Sequence, residues 1–147
     1  MKTLFIALTI LASVFTKTSF AADEKIAPRV LKSFQETFVN AKEVDWSSTA
    51  TYDKAQFSLN DQIISAFYDM EGALIGLTRN ITTVQLPVSL QATLKKNYQQ
   101  YWISELFEVS NDEGTQYYVT METADVKVIL KASPNSNWGV YQKQCKS

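Results

Sequence analysis

Two pairs of carboxylates are the residues whose type and spacing come nearest to supporting chemistry. Asp69 and Glu71 flank one turn sequence, and Asp112 and Glu113 lie in another. Acid–base cleavage of a glycoside needs two carboxyl groups roughly 5–10 Å apart across a cleft, one of them with a raised pKa. Carboxylates in turns are normally solvated and serve the geometry of the turn. We therefore expect neither pair to be catalytic, and we expect a protein that is not an enzyme.

The absence of histidine excludes further classes of site. Without histidine, the chain cannot form a Ser–His–Asp or Cys–His nucleophile or any zinc site built on imidazole. Neither acidic turn is followed by the spaced oxygen side chains of a calcium loop. The four glycines are too scattered for a phosphate-binding loop. We therefore expect no cofactor and no metal.

The single cysteine, Cys145, is the third residue from the C-terminal end. It cannot form a disulfide within the chain, so the fold must rely on its apolar core. We expect Cys145 to lie in a frayed tail; a reactive thiol and a disulfide between two copies are the alternatives.

The first 21 residues have the pattern of a secretory signal peptide. Lys2 precedes a mostly apolar run, Leu4–Phe15, and residues 19–21 (Ser-Phe-Ala) offer small side chains at the cleavage positions. The apolar run is shorter than the roughly 20 residues that span a bilayer. We therefore predict cleavage after residue 21 and a periplasmic or secreted protein, with no stable membrane anchor after cleavage.

The predicted mature chain, residues 22–147, is mildly acidic. The whole chain has 14 basic and 15 acidic residues, and residues 1–21 hold two of the lysines, so the net charge changes from −1 to −3 on cleavage. Binding of nucleic acid requires a basic patch or stripe, so we expect no nucleic-acid partner. Apolar residues make up 46% of the chain, which is enough for a core without disulfides.

The order of elements is repeated along the chain. Residues 28–83 and 87–142 each begin with proline, continue with an amphipathic helix pattern, and then alternate as several strands separated by turns. The apolar helix positions of the two halves are 60 residues apart: Val30, Phe34 and Phe38, then Leu90, Leu94 and Tyr98. This spacing predicts an α+β protein made of two related units.

The same order resembles one family, the PepSY-like, β-lactamase-inhibitor-like periplasmic domains of Gram-negative bacteria. The residues that carry the resemblance are Phe34, Phe38, Asn40, Ala41, Val44, Trp46, Phe67, Asp69, Gly72, Leu86, Pro87, Leu94 and Tyr98. The resemblance implies two tandem helix-plus-antiparallel-sheet repeats, and it allows one continuous curved sheet with the helices on one face. It implies no inhibitory residue, because no local motif matches an enzyme-contacting loop.

Aromatic residues are the main candidates for binding. Most of them should be core, Phe67 among them, but strand alternation sends Tyr117 and Tyr118 to opposite faces of the sheet. Ile129 would lie between Lys127 and Lys131 on the face of Tyr118. Interface hot spots favour tyrosine and tryptophan, whereas cross-strand aromatic pairs can also serve stability alone. The candidate protein-binding residues are Tyr101, Trp102, Tyr118, Ile129, Trp138 and Tyr141.

These observations predict an exported, non-enzymatic protein that binds or modulates another protein of the cell envelope, with enzyme inhibition as one form of that role. The alternative is a periplasmic sensor of a small ligand, with an aromatic-lined cavity between helix and sheet. Both hypotheses use the same aromatic residues.

Overall fold

The computed structural model describes residues 26–147. The predicted signal peptide lies outside the described residues. Two helices and eight strands follow one another in the order α1 (Pro28–Thr37), β1 (Lys42–Ser48), β2 (Asp53–Leu59), β3 (Gln62–Tyr68), β4 (Leu74–Asn80), α2 (Val88–Asn97), β5 (Trp102–Asn111), β6 (Gly114–Glu122), β7 (Val126–Ala132) and β8 (Gly139–Cys145). A short 3₁₀ turn, Thr83–Gln85, precedes α2.

Both helices begin at a proline and end in the same way. Pro28 is the first residue of α1 and Pro87 is the N-cap of α2; proline suits these positions because the first amides of a helix have no intrahelical partner. At the other end, the backbone amides of Phe38 and Tyr98 donate to the carbonyl oxygens of the residues four positions earlier. Each helix has ten residues.

The hairpins follow from turn chemistry at a few positions. Asn60 and Asp61 have φ angles of 50° and 62°, as a two-residue type I′ turn requires, and they join β2 to β3. Gly72 has a φ of 89° in the turn before β4. The carboxylate of Asp69 accepts hydrogen bonds from the amides of Glu71 and Ala73 in that turn, both at 2.9 Å. Asp69 therefore has the structural role that its turn position predicts.

All eight strands form one antiparallel sheet in the order β1 to β8. The two halves of the chain are joined in this sheet because β4 pairs with β5, with Leu77–Asn80 lying opposite Phe107–Ser110. The α+β class is confirmed, and the arrangement is a single eight-stranded sheet with two helices. β1 and β8 are the edge strands.

Each helix covers a separate hydrophobic cluster. The first contains Ile26, Val30, Phe34, Ala55, Phe57, Ala66 and Tyr68. The second contains Ile81, Leu86, Leu90, Leu94, Leu106, Tyr117, Val119, Met121, Val128, Leu130 and Ala132. Between the two clusters the guanidinium of Arg79 binds the carboxylate of Glu108 with two hydrogen bonds of 3.0 and 3.2 Å.

The two helices lie on the same face of the sheet. Leu77 packs against the first cluster and pairs with Ser110, and Ser110 lies on the same side of β5 as Leu106 of the second cluster. Paired residues, and alternate residues of one strand, point to the same face. We call the other face, which no helix of the described residues covers, the open face.

The C-terminal end differs from the sequence-based expectation. Cys145 is the last residue of β8 and pairs with Val126, so the expectation of a frayed tail is wrong for this residue. The next amide, of Lys146, donates to the carbonyl oxygen of Asp125 at 2.7 Å. β8 extends to Cys145 because its second half pairs with Val126–Ile129 of β7. Cys145 is a free, exposed thiol.

Candidate protein-binding face

Strand alternation divides β6 between the two faces as the sequence predicts. Tyr117, Val119 and Met121 are buried in the second core cluster. Tyr118 and Thr120 therefore lie on the open face, where they pair with Lys131 and Ile129 of β7.

A group of four side chains lies at the centre of the second half of the open face. Phe107 of β5 stacks on Tyr118, with ring centroids 5.2 Å apart and an interplanar angle of 8°. Tyr141 of β8 meets Tyr118 edge-on at 5.5 Å. The ammonium of Lys131 lies 5.5 Å from the centroid of the Tyr118 ring. We call Phe107, Tyr118, Lys131 and Tyr141 the Tyr118 cluster.

The register of four strands positions this cluster. Phe107 is the cross-strand partner of Tyr118, and Tyr118 is the partner of Lys131. The pairing of β7 with β8 shifts by one residue after Ile129, where β8 contains Tyr141 as the extra residue. Such a bulge re-aims a side chain, and here it accompanies the contact of Tyr141 with Tyr118.

A related group lies in the first half of the same face. Lys54 of β2 pairs with Phe67 of β3, and its ammonium lies 5.9 Å from the centroid of the Phe67 ring. Tyr52 meets Phe67 edge-on at 5.6 Å. Lys54 precedes buried Ala55, so it projects to the open face. We call Tyr52, Lys54 and Phe67 the Phe67 cluster. The expectation that Phe67 is a core residue is wrong.

Trp102 borders the open face at the start of β5. It is 52% exposed and lies opposite Glu122 of β6. The ammonium of Lys146 lies 4.9 Å from the Trp102 ring centroid and 2.7 Å from Oε2 of Glu122. This hydrogen bond from Lys146 is the main cause that lowers the pKa of the Glu122 carboxyl, with a smaller contribution from the Ser104 hydroxyl.

The structure brings four of the six candidate binding residues to the open face: Trp102, Tyr118, Ile129 and Tyr141. It does not bring Tyr101 and Trp138 there. Tyr101 packs on Tyr98 and on the second core cluster. Trp138 packs on the same cluster and donates its indole N–H to the carbonyl oxygen of Leu90 at 3.0 Å. Both residues directly precede strands, where alternation does not decide the face.

Sequence reasoning missed the partners that complete the two clusters. Phe107 follows Leu106, and two adjacent apolar residues do not indicate which of them faces the core. The sequence places Lys131 on the face of Tyr118 but does not predict its contact with the ring, and it indicates no role for Lys54. The cross-strand register, which places each lysine on an aromatic ring, was not available from one sequence.

The described residues contain two shallow grooves and no metal-binding group. Among residues 26–147, no three His, Cys, Asp or Glu side chains are close enough together to hold a metal ion. A groove of about 360 Å³ lies between α1 and β1. A second groove, of about 270 Å³, lies beside the turn between β7 and β8. Neither α1 nor α2 has the length and apolar character needed to cross a bilayer.

No protein-family model matches the chain, and no curated protein is similar to it by sequence.

Several solved structures share this helix-backed antiparallel sheet. A BLIP-like protein from Bacteroides fragilis is 16% identical with a TM-score of 0.68, and the match covers 84% of this chain and 89% of that protein. A DUF2874 family protein from Bacteroides uniformis is 15% identical with a TM-score of 0.72, covering 82% and 90%. A Bacteroides eggerthii protein, named provisionally as periplasmic, is 13% identical with a TM-score of 0.72, covering 82% and 89%.

These likenesses show that the chain has the BLIP-like fold, which confirms the β-lactamase-inhibitor-like part of the sequence resemblance. The PepSY-like part stays a prediction. At these identities the comparisons establish the fold alone.

Proposed function

We propose that this chain is an exported, non-enzymatic protein that binds another protein of the cell envelope through its open face. The observation that carries the proposal is the Tyr118 cluster, in which half-buried Tyr118 and Lys131 and exposed Tyr141 lie with buried Phe107 on a face that no described helix covers. Tyrosine is enriched among the residues that dominate interface energies, and its rigid ring contributes contact area at a small entropy cost.

Export is supported by two independent observations. The first 21 residues have the charge, apolar run and small residues of a signal peptide. The Bacteroides eggerthii neighbour is provisionally named a periplasmic protein. These observations support our proposal that the mature protein, residues 22–147, is periplasmic or secreted.

A role without catalysis fits the chemistry of the described residues. The names of the structural neighbours are those of BLIP-like and DUF families, none of them an enzyme family. The name of the Bacteroides fragilis neighbour favours inhibition or modulation of an envelope enzyme as the form that binding takes.

We further infer that the two halves are related repeats, residues 28–83 and 87–142. A helix followed by four antiparallel strands occurs twice, and α1 and α2 begin and end 60 residues apart. On the open face the second and third strands of each half pair a lysine with an aromatic ring, in opposite order: Lys54 with Phe67, and Tyr118 with Lys131. The proposed binding face would then consist of two equivalent halves.

Capture of a partner from native envelope extract tests the open face. Tagged wild-type protein is compared with Tyr118→Ala and Lys131→Glu, and the captured proteins are identified by mass spectrometry. Lys96→Glu serves as the matched control because Lys96 is an exposed lysine of α2, on the helix side.

We expect one partner in near-stoichiometric amount with wild-type protein and with Lys96→Glu. Capture should fall by about tenfold or more with both open-face variants, as truncation of an interface hot spot usually does. Circular dichroism must show each variant folded. Equal capture by wild-type, Tyr118→Ala and Lys131→Glu would contradict binding through this face.

The groove between α1 and β1 favours a second candidate, the binding of a small apolar ligand. It is lined by Phe34, Phe38, Val44 and Trp46, with Gln35 as a polar group at its side. Aromatic walls with one polar group are typical of small-molecule sites. A rise in melting temperature with an apolar compound, lost in Phe38→Ser, would support this role, and no rise with any compound would exclude it.

A further inference from the structure

The two edges of the sheet differ in how well they are protected against an added strand. In β1 the register shifts between Lys42 and Asp45, and Glu43 between them has a φ of 52°. A bulge and a run of charged residues are the usual devices that prevent edge-to-edge pairing. The β1 edge is therefore protected.

The β8 edge lacks this protection over its second half. Gln142–Cys145 keep a regular antiparallel register with Val126–Ile129, and every residue of β8 is exposed. Lys143 is the one charged residue of the strand. Because β8 is the last strand of the sheet, its outward amides and carbonyls have no partner strand within residues 26–147. Such groups are a template for another extended chain.

A groove lies beside the beginning of the same edge. It has a volume of about 270 Å³ and is lined by residues that include Lys131, Ser136, Val140 and Tyr141. Val140 and Tyr141 are 62% and 49% exposed. Strand addition obtains affinity from main-chain hydrogen bonds and specificity from pockets that receive alternate side chains, so this groove can receive one apolar side chain of an added strand.

The charge around the β8 edge is positive although the whole chain is acidic. Lys127 and Lys131 lie on β7, Lys143 on β8 and Lys146 directly after it. Two carboxylic acids, Glu122 and Asp125, lie near these four lysines. Glu122 is hydrogen-bonded to Lys146, whereas Lys131 and Lys143 form no ion pair with any described residue. Lysines border the edge on both faces, because Lys143 pairs with buried Val128 while Lys131 lies on the open face.

We propose that the β8 edge binds an extended, acidic peptide segment of a partner protein by strand addition. The backbone of the segment pairs with Gln142–Cys145, its carboxylates face Lys131 and Lys143, and one apolar side chain enters the groove beside Tyr141. A second copy of this chain is the poorer occupant, because it would bring a second lysine-bordered edge against the first. A nucleic acid lacks the amides and carbonyls that an edge strand pairs with. This surface shares Lys131 and Tyr141 with the Tyr118 cluster, but it differs from the open face in using the backbone of the β8 edge.

Three synthetic peptides test the proposal with the purified protein. The first has seven residues with two adjacent glutamates, so that one carboxylate projects to each face of the sheet, and it has one phenylalanine and otherwise valine. The second has lysine in place of each glutamate, and the third is the acidic peptide with alternate amides N-methylated so that they cannot donate. Binding is measured by isothermal titration calorimetry with wild-type protein, Lys143→Glu and the matched control Lys95→Glu, an exposed lysine of α2.

We expect the acidic peptide to bind, and the lysine and N-methylated peptides to bind at least about tenfold more weakly. Lys143→Glu should weaken the acidic peptide by about tenfold, while Lys95→Glu leaves it unchanged. Equal binding of the acidic and lysine peptides, equal binding of the N-methylated peptide, or no binding at all would overturn the proposal.

Sedimentation of the protein alone distinguishes the other occupant. A monomer is expected at micromolar concentration. A dimer that Gln142→Pro dissociates would show that a second copy covers β8 and would also overturn the proposal. The peptide experiment uses no envelope partner, so its failure and the failure of capture through the open face are separate results.

Discussion

Trp138 is expected to stabilise the fold from the helix side without taking part in binding. Its indole N–H donates to the carbonyl oxygen of Leu90 at 3.0 Å, and its ring packs against the second core cluster. Trp138→Phe removes the donor and keeps most of the ring contacts, whereas Trp138→Ala removes both. The two substitutions therefore separate the hydrogen bond from the packing.

The expected magnitudes follow from these two contacts. One intramolecular hydrogen bond contributes about 1 kcal/mol net, so Trp138→Phe should lower the free energy of unfolding by about that amount. Truncation of a buried tryptophan to alanine costs roughly 3–5 kcal/mol; Trp138 is half-buried, so about 2–3 kcal/mol is expected for Trp138→Ala. For a domain of this size, 1 kcal/mol corresponds to about 4 °C in melting temperature.

Urea unfolding followed by circular dichroism measures the stability, and partner capture at low temperature measures the binding of the folded variants. Both Trp138 variants should capture the partner as wild-type protein does. Trp102→Phe is the matched control, since Trp102 is exposed beside the open face and its replacement should change stability by less than about 0.5 kcal/mol. Unchanged stability of Trp138→Phe together with lost capture would refute the reasoning, because Trp138 would then be a binding residue.

Three further predictions concern stability. Chemical denaturation should show that Gly72→Ala destabilises the protein by more than Gly114→Ala. Both glycines have positive φ, but an added Cβ at Gly72 would lie 3.3 Å from the side chain and backbone of Arg29, whereas the space beside Gly114 is open. Equal losses of stability in the two variants would contradict this prediction. Burial raises the pKa of Tyr68 to about 12. The stability that the neutral phenol contributes is therefore complete below pH 10 and is lost as the pH rises through 12. The free energy of unfolding of Tyr68→Phe, measured over the same pH range, should not show this decrease. Glu108→Gln should lower the free energy of unfolding by about 1 kcal/mol at low salt and by less at high salt, because it breaks the ion pair with the half-buried guanidinium of Arg79. A loss of stability that salt does not change would exclude the electrostatic explanation.

Local sequence signals predicted the elements well because those elements depend on nearby residues. Pro28 and Pro87 mark the starts of the two helices, and the helical spacing of Val30 and Phe34 indicates the buried side of α1. Asn60-Asp61 predicts the β2–β3 turn through its tolerance of positive φ. The alternation of Tyr117 and Tyr118 divides β6 correctly between two faces because side chains of a strand alternate with a period of two.

Predictions failed where a residue's position depends on a distant strand. Cys145 reads as tail from its place in the sequence, yet it pairs with Val126, nineteen positions earlier. Phe67 alternates with apolar neighbours on both sides, so its pattern does not show that Lys54 covers its ring on the open face. Trp138 was predicted to be a binding residue of the sheet surface, but its indole N–H donates to the carbonyl oxygen of Leu90 in α2.

The sequence by itself determined the α+β class, the order of the helices and strands, the turns and the inward side of β6, since these follow from spacing and from backbone preferences within a few residues. Only the tertiary structure decided that β4 pairs with β5 to make one sheet, that both helices cover the same face, and that Phe107, Tyr118, Lys131 and Tyr141 meet on the other. Cross-strand register and the bulge at Tyr141 fix these contacts. Register describes how two strands align, so the residue pattern of either strand alone does not determine it.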